Sequence, residues 1–529
     1  MPSYLVDSFN GGFADYEKKG IPGSFKPGSG NLDIRKENRD SLSCKQALVE
    51  EGLLNQSRSP SASASPSLSL SSSPSLSASA SASPTPSPSA STSPSISVSR
   101  SPSATTSRSP SLSPSVSSAM TSVFRDLIHW WVKATDGYTY GFGNTGWVYR
   151  RDSSAFYQRV NKIPGAILGA EEWYSQSGKT YLYIATASTL YRKELPGLSN
   201  WNDLEVVAQN LTPATWHTMR ECGGSLIIAN SANLALVGYD ESYTNNALDL
   251  VPGNVATTIV ERNGRTIVGT ARKANETRGI NAAIDTEVPL AQVGENGELF
   301  FADMVNGVPV RRFPGGGKVN PGGVCNEVEQ VNFFEWEQNA LSWIDKHAVG
   351  NMSLWAVFDT DEGYTGVYSY GRYNKNKPFV LNLDYQIDAD ELGAITVVDD
   401  GTMLVSYKDG SDYGVLASDP NNKAIGTYVG LDFRAPNKKP SQITHWKHAE
   451  IFCDPLPNGS SIEFWYRVDK TGAWEQARTA DNDTNFDTVN AQRCVFLINA
   501  EGKVFEHKVL LRPYGNNDPE VHWIETFFD

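Results

Sequence analysis

One loop-like stretch near the C-terminus has side chains that could bind a metal ion. In "DNDTNFD", oxygen-bearing side chains occupy every second position, namely Asp481, Asp483, Asn485 and Asp487. Oxygen ligands at that spacing can bind Ca²⁺, but the Gly and the distal Glu of an EF-hand loop are missing. The stretch is a weak calcium candidate, and a plain solvated loop is the alternative.

A second candidate is the segment "THWKHAEIF", which contains His445, His448 and Glu450. On a regular strand, successive side chains point to opposite faces, so residues three apart lie on different faces. We therefore expect His445 and His448 to face apart, and we expect no metal site between them unless the segment is irregular.

Paired carboxylates could catalyse glycoside hydrolysis, since propeller glycosidases place such acids on strands that line the central channel. The pairs in this chain are Asp359, Asp361 and Glu362 in "FDTDEG", and Asp399 and Asp400 in "VVDDG". Both groups stand next to Gly, where turn formation explains the acids without catalysis.

Sequence motifs for other reactions are missing. There is no Gly-x-Ser-x-Gly, no Walker A loop and no His-Glu-x-x-His. The Gly-rich stretch "RRFPGGGKVNPGGVC" does not lie between a strand and a helix of an α/β unit, so it reads as a long connection. We expect no enzymatic activity and no cofactor.

Two tryptophans, Trp465 and Trp474, are speculative carbohydrate-binding residues because indole rings stack on sugar rings. Half-buried tryptophans are also ordinary components of a β-sandwich core, and that alternative is the more common one.

The bulk composition limits the class of protein. The formal net charge of −14 argues against broad binding to nucleic acid, which needs clustered Lys and Arg. The five cysteines lack CxxC spacing and indicate buried free thiols rather than a zinc site or a disulfide framework: Cys44, Cys222, Cys325, Cys453 and Cys494. The N-terminus has no basic region followed by an apolar core, so we expect no secretory signal, and no window predicts a membrane span.

Residues 57–118 form a Ser/Pro-rich tract unlike the rest of the chain. Its only charged residues are Arg58, Arg100 and Arg108, and it has no aromatic residue. Too little apolar area is present to offset the entropy of ordering the backbone, so we predict a disordered segment. Its position leaves two options open, an insertion in a blade loop or a linker between domains.

The body of the chain repeats one layout, a pair of short apolar strands around a turn. Asn263-Gly264 and Asn306-Gly307 mark two of the hairpins. The units recur about every 40–45 residues, which is typical of the four-stranded blades of a β-propeller. We predict an all-β fold with a propeller of about seven blades (six to eight) over residues 119–427. Two β-sandwiches in tandem are the alternative.

The last hundred residues have longer strands with cleaner alternation. Ile462, Phe464 and Tyr466 share one face of a strand, and Glu463 and Arg467 share the other. One apolar and one polar face predict an antiparallel β-sandwich over residues 428–529. Residues 1–56 form an N-terminal arm too small for its own core, and we expect it to give an outer strand to the first blade, beside "LIHWWVKA".

Several stretches resemble structural proteins of tailed-bacteriophage particles, a group that includes tail-associated β-propellers. The stretches are "NLDIRKENRDSLSCKQAL", "DGYTYGFGNTGWVYRR", "GKTYLYIATASTLYRKELPG", "ATWHTMRECGGSLIIANSANLALVGYD", "ALDLVPGN" and, near the end, "VFEHKVLLRPYGNNDPEVHWI". The likeness covers most of the chain and its motifs are structural rather than catalytic. The chain departs from the group in having no recognisable receptor-binding or depolymerase motif.

The resemblance implies a non-enzymatic, tail-associated virion protein that is assembled in the host cytoplasm and carried on the particle. Its expected partners are other virion proteins and host surface glycans. A carbohydrate-binding or carbohydrate-active secreted propeller is the main alternative, and an intracellular interaction scaffold is a third.

Overall fold

The computed structural model describes a set of residues that belong to one compact unit. They are residues 3–6, 12–13, 24–25, 29–34, 41–52, 122–196, 201–214, 217–250, 252, 254–262, 265–272, 291–293, 299–302, 309–312, 336–337, 343–348, 351–360, 366–371, 380–435 and 438–529. The Ser/Pro-rich tract, and with it the prediction of disorder, lies outside them. No helix within these ranges is long and apolar enough to cross a membrane.

Three complete blades follow one another from residue 128. Each is an antiparallel sheet of four strands in sequence order, which apolar alternation and Gly-containing turns favour. Blade 1 has Ile128–Lys133, Thr139–Gly143, Trp147–Arg151 and Tyr157–Lys162; blade 2 has Gly169–Tyr174, Thr180–Ala185, Leu190–Glu194 and Glu205–Ala208; blade 3 has Met219–Cys222, Ser225–Asn230, Asn233–Val237 and Tyr243–Asp249. A short 3-10 helix, Trp201–Asp203, precedes the last strand of blade 2.

Four further sheets continue the series. Blade 4 has Asn254–Arg262 and Arg265–Arg272; blade 5 has Ala291–Val293, Leu299–Ala302 and Pro309–Arg312; blade 6 has Trp343–Ala348, Asn351–Thr360, Gly366–Gly371 and Val380–Gln386, with Trp336–Glu337 also on its second strand. Blade 7 has Glu391–Val397, Met403–Asp409 and Asp412–Lys423. The two hairpins predicted around Asn263-Gly264 and Asn306-Gly307 are confirmed by their flanking strands, because Arg262 pairs with Arg265 and Ala302 with Pro309, while the turn residues lie outside the described ranges.

The seven blades form a closed ring, which confirms the propeller. The first strand of each blade contacts the first strand of the next, and that of blade 7 contacts that of blade 1. Apolar clusters lie between neighbouring blades: Phe142 and Leu182 belong to the cluster of blades 1 and 2, and Ile128 and Leu404 to that of blades 7 and 1. The ring is therefore held by side chains buried between adjacent sheets.

The N-terminal arm closes the ring, but not in the predicted blade. Gln46–Glu51 is the outermost strand of blade 7, antiparallel to Asp412–Lys423. The prediction that it pairs in the first blade beside Ile128–Lys133 is wrong, because blade 1 already has four strands of its own. Blade 7 takes three strands from the late part of the chain and its fourth from the early part.

The two ends of the segment that contains the Ser/Pro-rich tract meet at the blade 7 to blade 1 seam. Val123 N donates a hydrogen bond to Gly52 O at 2.9 Å. Residue 52 follows the outermost strand of blade 7, and residue 123 precedes the innermost strand of blade 1. Residues 52 and 123, at the two ends of the segment that contains the Ser/Pro-rich tract, therefore lie together at the seam between blades 7 and 1.

Two antiparallel sheets form the C-terminal sandwich. One has the order Ser3–Val6, Val521–Phe528, Thr444–Cys453, Arg493–Gly502, Arg478–Thr479; the other has Gly426–Val429, Phe505–Arg512, Ser461–Val468, Glu475–Gln476. Ile462, Phe464 and Tyr466 are buried in the shared core, as the alternation predicts. The N-terminus adds an edge strand, so the sandwich is built from both ends of the chain.

A bridging segment, residues 29–34 and 41–45, connects the sandwich to the propeller. Its Leu32–Asp33 pairs with Ser43–Cys44. On the sandwich side, Gly30 bridges to Thr427 and Leu42 to Val521. On the propeller side, Asn382 Nδ2 in blade 6 donates to Leu32 O at 3.0 Å. Leu383 of blade 6 packs into the sandwich core cluster, so the two domains share buried apolar surface.

Candidate functional site

A cavity of about 490 Å³ lies at the central channel of the propeller, lined by residues of four first strands. Blades 1, 2, 3 and 7 provide its wall, and we call this region the channel mouth. Its lining residues are Trp131, Val132, Lys133, Glu171, Glu172, Arg220, Thr396 and Val397. Charged groups at such a position are candidates for binding or catalysis.

Glu171 is a half-buried charge at the channel mouth. It lies in the middle of the first strand of blade 2, and its Oε2 is 2.5 Å from Nη1 of Arg220 in blade 3. Burial raises the pKa of Glu171, and the Arg220 guanidinium opposes that rise. The pair therefore joins two blades across the channel wall.

The neighbouring Glu172 points to the other side of its strand. Its carboxylate accepts hydrogen bonds from Thr135 of blade 1, from the backbone N at 2.9 Å and from Oγ1 at 2.6 Å. Adjacent residues on a strand face opposite ways, so Glu171 and Glu172 reach toward different blades. The two acids do not converge on one point, as an acid and base for hydrolysis must.

Lys133 and Asp399 form a third contact between blades at this end of the ring. Lys133 Nζ is 2.9 Å from Asp399 Oδ1, and the Asp399 side chain is 89% exposed. Asp400 Oδ1 accepts a hydrogen bond from Thr402 N at 2.8 Å, and this bond closes the turn after Glu391–Val397. The interpretation of Asp399 and Asp400 as turn residues is confirmed. Asp361 and Glu362 lie outside the described residues, and so does the side chain of Asp359.

Sequence reasoning missed the channel-mouth residues. The only signal was a charge inside a first strand, in "GAEEWY" for Glu171 and Glu172 and in "MREC" for Arg220. Which strand is innermost depends on the ring, and the pairing of Glu171 with Arg220 connects residues 49 apart in sequence.

The predicted carbohydrate residues Trp465 and Trp474 come together on the outer face of the second sandwich sheet. Lys508 Nζ lies 4.9 Å from the ring centre of Trp465 and 5.1 Å from that of Trp474. The Arg467 guanidinium lies 4.7 Å from the Trp474 ring centre. A cation therefore covers a face of each indole, where a sugar ring would otherwise stack.

The ionic surroundings of this outer face are dense. Glu463 accepts from Trp465 Nε1 at 2.9 Å and also pairs with Arg512. Burial lowers the pKa of Lys508, Glu463 opposes the change and Arg467 adds to it. Lys508 thus lies over both indole rings, between the acidic Glu463 and the basic Arg467.

The prediction that His445 and His448 face apart is wrong. A β-bulge between Trp446 and His448 breaks the alternation of Thr444–Cys453. His445 is opposite Glu501 and His448 opposite the exposed Leu497, so both histidines lie on the outer face. His445 Nε2 contacts Asn499 Oδ1, and His448 stacks on Phe527.

The calcium candidates Asp481, Asp483, Asn485 and Asp487 are all exposed, in a loop before Arg493–Gly502. Across the described ranges, one group of three His, Cys, Asp or Glu side chains converges, and none of these residues belongs to it. Calcium binding at these residues stays a prediction, because they are not part of the group of converging side chains.

Four cysteines are buried free thiols, as the sequence indicates: Cys44, Cys222, Cys453 and Cys494. The fifth, Cys325, lies outside the described residues.

Comparisons with known proteins give a likeness of fold. No protein-family model matches, and no curated protein matches. Among solved structures, the β-propeller domain of Myceliophteria thermophila Cps50 (Swd1) is 13% identical, with a TM-score of 0.39, and the match covers 55% of this chain and 98% of that one. Virginiamycin B lyase from Staphylococcus aureus is 11% identical, with a TM-score of 0.37 and coverages of 56% and 96%.

A longer match includes more of this chain. It is the extracellular domain of the putative hybrid two-component system BT3049 from B. thetaiotaomicron, 14% identical with a TM-score of 0.39, and it covers 76% of this chain but 55% of that one. The similar structures include a lyase, and at this identity they decide nothing about the activity of this chain.

Proposed function

We propose that this protein is a non-enzymatic structural protein of a tailed-bacteriophage particle, associated with the tail. Its propeller is a docking platform for other particle proteins or for the host surface. The resemblance of its sequence motifs to phage structural proteins supports the virion assignment. The proposal of docking rather than catalysis rests on the channel mouth, where the acids are engaged by neighbouring blades.

The engagement of those acids is the single observation that carries the non-enzymatic proposal. Glu171 pairs with Arg220 toward blade 3, and Glu172 accepts from Thr135 toward blade 1. A catalytic carboxylate pair needs both groups aimed at one substrate bond. Within the described part of the channel wall, these contacts instead fix the blades to one another.

The construction of the molecule supports a rigid platform. The bridging segment hydrogen-bonds to the sandwich and to blade 6, and the strand that follows it closes blade 7. A docking surface loses less entropy on binding when its parts are fixed beforehand. Such a fixed pair of domains suits a permanent position in a multi-protein assembly.

Mass spectrometry of purified phage particles that encode this chain tests the virion assignment. We expect the chain in intact particles and in tails separated from capsids, in a constant ratio to the other tail proteins. Absence of the chain from washed particles overturns the proposal, and its presence in capsids alone overturns the tail position.

The alternative of a carbohydrate-binding or carbohydrate-active propeller has one observation in its favour, the gathering of Trp465 and Trp474 on one face. A glycan array with the wild type and W474A tests binding at that face, with W147A in blade 1 as a matched control. Polysaccharide cleavage that is abolished in E171Q would contradict the non-enzymatic proposal.

A further inference from the structure

Three side chains with metal-binding atoms meet at one end of two adjacent sandwich strands. Asp454 follows Thr444–Cys453, and Glu520 and His522 flank the first residue of Val521–Phe528. Cys453 is opposite Val521, and Asp454 N donates to Glu520 O at 2.9 Å. The register shifts at His522, which lies between the paired residues Val521 and Trp523, and Val521 itself is fully buried in the core.

The possible ligand atoms of these residues all lie within 4.8 Å of one another. His522 Nε2 is 2.9 Å from Asp454 Oδ1. Glu520 is buried, 6% exposed, and its Oε1 accepts a hydrogen bond from Ser41 Oγ at 2.8 Å. The buried carboxylate is thus held in place, while Asp454 and His522 border solvent with side chains 46% and 37% exposed.

We propose that Asp454, Glu520 and His522 form a binding site for a divalent transition-metal ion, with Zn²⁺ the best fit. One imidazole nitrogen and two carboxylate oxygens are a ligand set that Zn²⁺ accepts, whereas Ca²⁺ and Mg²⁺ prefer oxygen ligands throughout. Three protein ligands leave a fourth position for water on the exposed side.

Zn²⁺ binding requires side-chain shifts in both directions. Ligands at about 2.0–2.2 Å from a tetrahedral Zn²⁺ are roughly 3.4 Å from each other. Asp454 and His522 must therefore separate by about half an ångström, and ligand atoms as far as 4.8 Å apart must approach by up to about 1.4 Å. Asp454 and His522 border solvent, which permits these shifts. Glu520 keeps its contact with Ser41 because a carboxylate has a second oxygen and further lone pairs.

The bound ion would stabilise the attachment of the N-terminal arm. Ser41 belongs to the bridging segment, and its neighbour Leu42 bridges to Val521, between Glu520 and His522. An ion bound to Asp454, Glu520 and His522 would connect the end of Thr444–Cys453 to the start of the last strand. Through the hydrogen bond between Ser41 and Glu520, it would also hold the bridging segment. Binding to the folded chain alone raises its stability by linkage.

Titration calorimetry with ZnCl₂ on the full chain tests the proposal, after any polyhistidine tag is removed and the protein is treated with a chelator. We expect one equivalent of Zn²⁺ per chain and a melting temperature raised by about 3 °C or more. D454N and H522A should weaken Zn²⁺ binding at least tenfold. D483N and H445A, which change an exposed Asp and a strand His of the same domain, should bind as the wild type does.

Spectra with Co²⁺ identify the ligands. The proposal expects visible d–d absorption without a sulfur-to-cobalt charge-transfer band, because the site has no thiolate. A thiolate band would assign the ion to the cysteines and overturn the proposal. No Zn²⁺ uptake by the wild type, or equal uptake by wild type, D454N and H522A, overturns it as well.

Discussion

Lys45 carries a buried charge between the two domains. Its ammonium lies 3.0 Å from Asp384 of blade 6 and 3.4 Å from Asp33 of the bridging segment. The Lys45 side chain is 7% exposed and that of Asp384 is 1% exposed. Burial alone would lower the pKa of Lys45, but the two carboxylates outweigh it and the pKa is raised. Lys45 is therefore charged across the physiological range, and its single positive charge is shared by two carboxylates.

We expect Lys45→Met to destabilise the protein by about 3–5 kcal/mol, because the substitution leaves buried carboxylates without their cation. Lys133→Met is the matched control, since it breaks an ion pair whose Asp399 is almost fully exposed. The control should cost about 1 kcal/mol or less. Urea denaturation measures both, and equal losses would contradict the role assigned to Lys45.

A buried histidine in the propeller should make its stability depend on pH. His217 is fully buried, and burial lowers its pKa although the Ala229 and Ala187 carbonyls oppose the change. The unfolded chain binds a proton near pH 6.5, and the folded chain binds it only at lower pH. The contribution of neutral His217 is thus present above about pH 6.5 and is lost as the pH falls toward its folded pKa.

Replacement of His217 by Gln should flatten the decline in the free energy of unfolding between about pH 7 and pH 5. Denaturant titrations at several pH values, with H445A as the control for an accessible histidine, measure the slope. An unchanged slope in His217→Gln would show that other groups cause the decline.

At the scale of the secondary-structure elements, the seam between blades 7 and 1 depends on Gly52. Its φ of +78° is in the left-handed region, and a Cβ there would lie 2.5 Å from Cε2 of Phe124. Gly137 has a similar φ of +85° with no atom within 4 Å of its Cβ position. An alanine at either position adopts an unfavourable backbone conformation, but only an alanine at residue 52 also clashes with a neighbouring side chain.

We expect Gly137→Ala to cost about 1 kcal/mol, from the backbone conformation alone. Gly52→Ala should cost about 2–4 kcal/mol, because Phe124 must also move within its packed cluster. Denaturation midpoints measure the difference, and a Gly52→Ala variant no less stable than Gly137→Ala would contradict the tight seam.

The connection between residues 52 and 123 leads to a prediction about the stability of a deletion variant. Its ends are joined by the hydrogen bond from Val123 N to Gly52 O. Deletion of residues 57–118 shortens the connection roughly tenfold, which lowers the entropy cost of closing it by about 2 kcal/mol. Thermal melting of the deletion variant should show equal or slightly higher stability, and a large loss would show that the tract contributes contacts.

Local patterns in the sequence predicted the repeated hairpins, because turn residues such as Asn263-Gly264 and the apolar strands that they connect are close together in sequence. They also predicted the buried face of Ser461–Val468. They failed where partners are distant: Gln46–Glu51 pairs with residues from the far end of blade 7, and Glu171 meets Arg220 only once the ring has formed. The bulge at Trp446 and His448 shifted two histidines to one face without a sequence signal.

At the scale of the whole molecule, the domains are expected to unfold together. The bridging segment contacts both, and Leu383 of blade 6 belongs to the sandwich core. Differential scanning calorimetry should show one heat-absorption peak for the full chain. Removal of residues 1–45, which leaves Gln46–Glu51 in blade 7, should divide it into two peaks, whereas the deletion of residues 57–118 should keep one.

The ring closure also sets the order of events while the chain is being made. Glu50 of the closing strand accepts a hydrogen bond from Tyr407, which lies 357 residues later in the chain. A ribosome that adds about 5–20 residues each second needs roughly 20–70 s to produce that partner. For this interval the first-made strand has an unsatisfied edge, so the nascent protein is exposed to misassembly for longer than a molecule whose neighbours in space are neighbours in sequence.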